Sequence, residues 1–221
     1  MHRFAVWLAL GVLLAASACG EGKEERPSKP LGTGGLARAL EITRQAGAQP
    51  MRLVATTSRP GRGTVEQFRA EGELDLADRA GRATLRLPAS SQIDIPPMKI
   101  SWTAHRVTAA GGQERTRKEA RLSGGQLGLL PDEAQGLAEL VADARVVREL
   151  ESGRWAFEVP SAAAIRRGIP PQPRSGRTWR GEAQSAADGR LRRVRLRLST
   201  PALGDGGRFP AGTATLELAL G

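Results

Sequence analysis

Apolar and polar residues alternate with a period of two along much of this chain, and that repetition limits the fold more than any other feature. Phe68, Ala70, Gly72, Leu74 and Leu76 alternate with Gln67, Arg69, Glu71, Glu73 and Asp75. After the turn signal Asp78-Arg79-Ala80-Gly81, Ala83, Leu85 and Leu87 alternate with Arg82, Thr84 and Arg86. The pattern returns at Trp155, Phe157 and Val159 and again at Trp179, Gly181 and Ala183. Beyond the hairpin dipeptide Asp188-Gly189, Val194, Leu196 and Leu198 alternate with Arg193, Arg195 and Arg197. The last stretch carries Ala214, Leu216, Leu218 and Leu220 on one face. Successive side chains of a strand point to opposite faces, so these stretches describe an antiparallel sheet with one apolar and one wet face. Val65 has the wrong parity for its strand, and a bulge near Glu66 would bring it onto the apolar face. With Met51 to Ser58 and the strand of Ile100 and Trp102, about eight strands are expected.

Helical spacing is rarer. Leu36, Ala39, Leu40, Thr43 and Ala46 make one stripe over residues 34–46, and Gly47 follows as a stop. A second helix is expected from Asp132 to Ala144, with the stripe Ala134, Leu137, Leu140, Val141 and Ala144. Pro131 precedes it, and Asp132 and Glu133 suit the positive N-terminal end of a helix. Residues 161–167 suit a short helix, while the polar residues 113–122 form either an edge strand or a mobile ribbon. A wide apolar sheet face exceeds what these few stripes can cover, and a large exposed patch is unusual on a monomer. Either a bound lipid or a tightly closed core rich in Ala and Gly resolves the excess.

The N-terminus sets the compartment. His2 and Arg3 precede an apolar run from Phe4 to Ala16, and Ser17-Ala18 lead into Cys19. A basic start, a short apolar region and a small-residue exit describe an export signal, residues 1–18. Ala16-Ser17-Ala18-Cys19 resembles a bacterial lipobox, whose cysteine is lipidated and becomes the first mature residue; the alternative is ordinary cleavage after Ala18. Residues 19–33 are then the lipidated cysteine and a charged, Pro- and Gly-rich tether with a reach on the order of 45 Å, leaving residues 34–221 as one domain. Cys19 is the one cysteine in 221 residues, so no intramolecular disulfide exists. The formal charge is +10, nearly all of it arginine, since only Lys23, Lys29, Lys99 and Lys118 are lysines. In an envelope that balance favours anionic head groups or wall polymers, and four Trp, four Phe and no Tyr give little for nucleic-acid bases to stack on.

Chemistry has few candidates. His105 is the one histidine outside the signal, and no His/Cys cluster has zinc spacing. Asp75 with Asp78, or Asp132 with Glu133, serve turns and helix ends more simply than a hard cation. No catalytic residue, metal or cofactor is expected.

The lipobox, the tether, a helix ending in Ala46-Gly47-Ala48-Gln49, hairpins of the type Gly72-Glu73-Leu74-Asp75-Leu76, and Gly153-Arg154-Trp155-Ala156-Phe157-Glu158-Val159-Pro160 running into a short helix occur here in one order. This order resembles the LppX/LprG-type envelope lipoproteins, relatives of the LolA/LolB lipoprotein carriers. The resemblance implies an α+β fold, a curved antiparallel half-barrel whose concave face is covered by helices around an apolar cavity for acyl chains. The inward residues that would meet a lipid or glycolipid are Phe68, Leu74, Leu76, Leu85, Ile100, Trp102, Trp155, Phe157, Val194 and Leu196. It implies a monomer held by lipidated Cys19 on the outer face of the cytoplasmic membrane, or on an outer membrane where there are two. The alternative is a scaffold or sensor on the same fold, touching an anionic partner through Arg193, Arg195 and Arg197.

Overall fold

The computed structural model describes residues 34–88, 96–109, 111–122, 126–167, 178–200 and 212–221. Cys19 and the tether lie outside these residues. The chain runs α1 (Gly34–Gln45), β1 (Gln49–Arg59), β2 (Gly63–Asp75), β3 (Ala80–Arg86), β4 (Met98–Trp102), β5 (Arg106–Ala109) and β6 (Glu114–Thr116). It continues through α2 (Arg117–Leu122), α3 (Gln126–Glu139), a 3-10 helix (Leu140–Asp143), β7 (Arg145–Glu151), β8 (Arg154–Pro160) and α4 (Ser161–Arg166). Strands β9 (Thr178–Ser185), β10 (Leu191–Thr200) and β11 (Gly212–Leu220) finish it.

All eleven strands belong to one open sheet in the order β6-β5-β4-β3-β2-β1-β11-β10-β9-β8-β7. Two antiparallel meanders meet where β1 pairs with β11, Leu53 opposite Leu218. The chain must therefore pass from β6 at one edge to β7 at the other, and α2, α3 and the 3-10 helix make that crossing. Helix α3 touches β3, β10 and β11. Those outer contacts are about 19 Å apart at ordinary strand spacing, and a helix of 14 residues is about 21 Å long, so α3 spans the centre of the sheet. The result is the expected α+β half-barrel, with helices over one face.

The register explains how the alternation is kept. Ala55 faces Phe68 and Thr56 faces Glu66, so Gln67 is the extra residue of a β-bulge. Beyond it Val65 pairs with Thr57 on the apolar face, as the parity of the sequence requires. A similar shift between Leu191 and Arg193 places Leu191 inward, fully buried beside Val194. Two aromatic side chains lie over glycines of the adjacent strand. A methyl group on Gly181 would stand 2.2 Å from the Phe157 ring, and one on Gly81 would stand 2.3 Å from Trp102. Only glycine leaves room for these rings to lie flat against the sheet.

Several elements differ from expectation. Helix α3 starts at Gln126 and carries Pro131 inside it, so Asp132 and Glu133 are mid-helix and buried, not charges at an exposed N-terminus. Residues 114–116 are the edge strand expected of a polar stretch, but the chain then coils into α2. Strand β7 was hidden because its pairing with β8 shifts register twice, at Val146/Arg148 and Glu149/Glu151, which breaks the period of two. His105 is an exposed turn residue whose carbonyl accepts the Arg117 N–H at 2.9 Å.

Candidate functional site

The inner face is assembled from rows of residues facing each other across strands. One row runs Val194, Leu218, Leu53, Ala70, Leu85 and Met98, and the next brings Leu196, Leu216, Ala55 and Phe68 together. All ten residues expected to meet an acyl chain, Phe68, Leu74, Leu76, Leu85, Ile100, Trp102, Trp155, Phe157, Val194 and Leu196, lie on this face in one core, each 9 % exposed or less. Their partners are Leu36, Ala39 and Leu40 of α1, and Leu130, Ala134, Leu137, Ala138, Leu140 and Val141 along the crossing segment. The surfaces of these ten side chains are thus occupied by protein in this structure.

Cover is uneven along the strands. At one end, α1 lies across the sheet: a methyl group on Gly35 would come 3.2 Å from the Trp155 ring, and one on Gly189 would come 3.2 Å from Ile42. Thr43 anchors it there, its buried hydroxyl donating to the Ala39 carbonyl at 2.6 Å and accepting the Leu191 N–H at 2.7 Å. The Gln49 side chain donates to the Thr43 carbonyl at 2.9 Å. This is the closed end. At the opposite end, beside the β1–β2 turn, the inward residues Ala55, Leu87 and Met98 are half-buried against the core and Val65 is 50 % exposed. Among the described residues cover is thinnest here, at what we call the hairpin end.

The crossing segment is held by ion pairs that sequence reasoning missed. Arg117 bonds Asp132 at 2.8 Å with both side chains nearly buried. Arg167 donates to Glu139 at 2.9 Å and to Asp143 at 2.8 Å, and its guanidinium is held above its ordinary pKa chiefly by the hydrogen bond to Asp143. Gln135 donates to Glu139 at 3.0 Å. Backbone contact reinforces the clamp, for a methyl group on Gly136 would stand 1.8 Å from the Arg167 carbonyl oxygen. The available signal was a helix stripe, Leu137-Leu140-Val141, whose polar side is too acidic to be buried without arginine partners.

The arginine row behaves differently from a free basic site. Arg193 and Arg195 both reach Glu217 of β11, at 3.4 Å and 2.5 Å, so the two guanidiniums share one carboxylate. Arg197 has no ion pair among the described residues and stands opposite Arg180. Elsewhere the outer face is a lattice of pairs across strands, such as Arg82 with Glu73 at 2.8 Å and Arg52 with Glu71 at 3.6 Å. An outward groove of about 550 Å³ crosses β2 to β5, lined by Glu73, Arg82, Thr84, Lys99, Ser101 and Thr108 among others. Asp75 caps its turn by accepting the N–H groups of Ala77 and Asp78, at 2.9 and 3.0 Å. No cluster of three metal-ligating side chains occurs among the described residues. No helix among them is long and apolar enough to cross a membrane.

The described residues form an open antiparallel half-barrel whose apolar face is covered by helices and less completely so at one end. In arrangement it is similar to several solved proteins. Over 86 % of this chain and 92 % of the other it resembles the lipoprotein LppX of Mycobacterium tuberculosis, with 11 % identity and a TM-score of 0.44. LprF from Mycobacterium bovis gives 10 % identity and 0.46 over 86 % and 90 % of the two chains. A LolA-superfamily protein from Nitrosomonas europaea gives 13 % and 0.35 over 84 % and 90 %. No family model matches the chain, and no curated protein matches it.

Proposed function

We propose that this chain is an envelope lipoprotein that binds or carries a lipid or similar hydrophobic molecule, and performs no chemistry on it. The observation that carries the reading is the continuous apolar inner face, sealed by α1 at one end and at the other only partly covered at Ala55, Leu87 and Met98, with Val65 exposed. Acyl chains would enter from this less covered end and lie along the rows that now meet α1 and α3. Room is made by the helices drawing away from the sheet. The core includes small side chains on both sides, Ala39, Ala134 and Ala138 of the helices and Ala70, Ala83 and Ala183 of the sheet, which lose less contact on separation than large ones. Burial of each methylene offsets the separation by about 0.8 kcal/mol. The lipobox-like Ala16-Ser17-Ala18-Cys19 supports the same setting: in this reading Cys19 is lipidated, the tether is a spacer on the outer face of the membrane and the monomer is the working unit. Native mass spectrometry of the protein purified from an envelope-bearing host tests this. The expected result is a one-to-one complex with an acyl lipid; repeated recovery without lipid, and no uptake of an added one, would sink it.

One observation favours a second reading. Because the ten inward side chains are already covered, the same domain could serve as a closed scaffold or sensor that contacts an anionic partner through its outward arginines. It expects salt-sensitive partner binding and no acyl ligand.

A further inference from the structure

We propose that the hairpin end of the sheet is a docking surface for an anionic phospholipid membrane. The inference deepens the lipid-binding reading, on which it rests for its purpose, by naming the surface through which lipid would be exchanged. Its observations are independent. Arg59 and Arg62 flank the β1–β2 turn, and Arg86 and Arg197 close the outer faces of β3 and β10 at the same end; all four are exposed and none has an ion pair among the described residues. Among the described residues, carboxylates of this end are engaged: Glu66 with Arg69 at 2.7 Å, Glu114 with Arg106 at 2.7 Å and Glu158 with Arg180 at 3.6 Å.

Two like-charged pairs stand directly opposite across the strands, Arg69 with Arg86 and Arg180 with Arg197. Such pairs weaken a sheet, whereas elsewhere on this face arginine is matched with glutamate. The closed end, by contrast, mixes signs, with Asp78, Glu151 and Asp188 beside Arg79, Arg154 and Arg190. The second observation is apolar. Val65, the one exposed large hydrophobic side chain among the described residues, sits at this same end, turned inward by the bulge at Gln67. Unpaired arginines around an exposed aliphatic group match a phosphate-bearing surface with acyl chains beneath it. The partly buried inner residues Ala55, Leu87 and Met98 lie at the same end and would be nearest the bilayer, giving a lipid a path that avoids water.

The test uses the mature chain from residue 19 with Cys19→Ser, which carries neither the apolar signal nor a thioether anchor, with vesicles of phosphatidylcholine alone or with added phosphatidylglycerol. Expected are co-sedimentation with the anionic vesicles alone and its loss at high salt. Affinity should fall about fivefold for each of Arg59, Arg62, Arg86 and Arg197 changed to Gln, and hold for Arg79, Arg154 and Arg190 changed likewise. In a Cys19→Ser, Val65→Cys chain the label site is unique, and an environment-sensitive dye there should shift to the blue on adding anionic vesicles. Equal binding to both vesicle types, equal losses from the two ends, or an unshifted dye would overturn the proposal. Lipid retained by the same variants in native mass spectra reports separately on ligand binding, so either idea can fail without the other.

Discussion

On β1, Leu53 is fully buried while its neighbour Arg52 reaches across exposed surface to Glu71 at 3.6 Å. That contrast between the two faces of one sheet repeats on every long strand. The inner face is held by burial and shape, where each side chain has many partners and small errors are costly. The outer face is held by pairs between exposed charges, each worth little and open to exchange. The difference teaches where function has room to act. The inner face carries the stability and the apolar surface a lipid would use, and the outer face can lose or gain arginines without unfolding the domain.

The comparison can be broken or sharpened by substitution. Phe157→Ala removes the ring that lies over Gly181 and should cost about 3–5 kcal/mol, read from the denaturant midpoint. Arg117→Met leaves Asp132 in a nearly buried place and should cost about 3 kcal/mol, while Arg117→Met with Asp132→Leu recovers much of the loss. Failure of the double variant to recover would place the weight on packing instead of the ion pair. Gly136→Ala drives a methyl group into the Arg167 carbonyl and should cost about 1–3 kcal/mol, unless α4 shifts to admit it. On the outer face, Glu217→Gln strips Arg193 and Arg195 of their shared partner yet should change stability by about 0.5 kcal/mol or less.

Acid gives the smallest effect. The carboxyl of Glu73 is held below its ordinary range by the Arg82 side chain, that of Glu119 by the Thr116 N–H and that of Asp188 by the Arg190 N–H. A folded-state pKa below the unfolded one adds stability above the unfolded value and loses it as pH falls through the folded one. The melting temperature should therefore be flat near neutrality and decline gently below about pH 4.

Most of the sheet was legible in the sequence because its face alternation is strict. Phe68 through Leu74, Ala83 through Leu85, Val194 through Leu196 and Ala214 through Leu220 all sit in strands with the parity read from the chain, Leu76 and Leu87 lie just past the ends of theirs, and Val65 even announced its bulge. Strand β7 was not legible, since two register shifts erase its period. The start of α3 was misread because proline normally marks an end, whereas here Pro131 is inside the helix. The ion pairs of that segment were hidden for a different reason: Arg117 and Arg167 come from distant stretches, and only the fold brings them to Asp132 and Glu139. The side chains of the candidate lipid face could be named from parity alone. How tightly the helices cover them could not, because cover depends on where α1 and α3 cross the sheet.

The central claim is that the inner face takes up acyl chains from the hairpin end. Native mass spectrometry of the wild-type chain against Ala55→Trp, which places an indole across the less covered end, tests it most directly. A bound lipid on the wild type and little or none on a folded Ala55→Trp variant is the predicted result. Lipid absent from both, or retained equally by both, would contradict it.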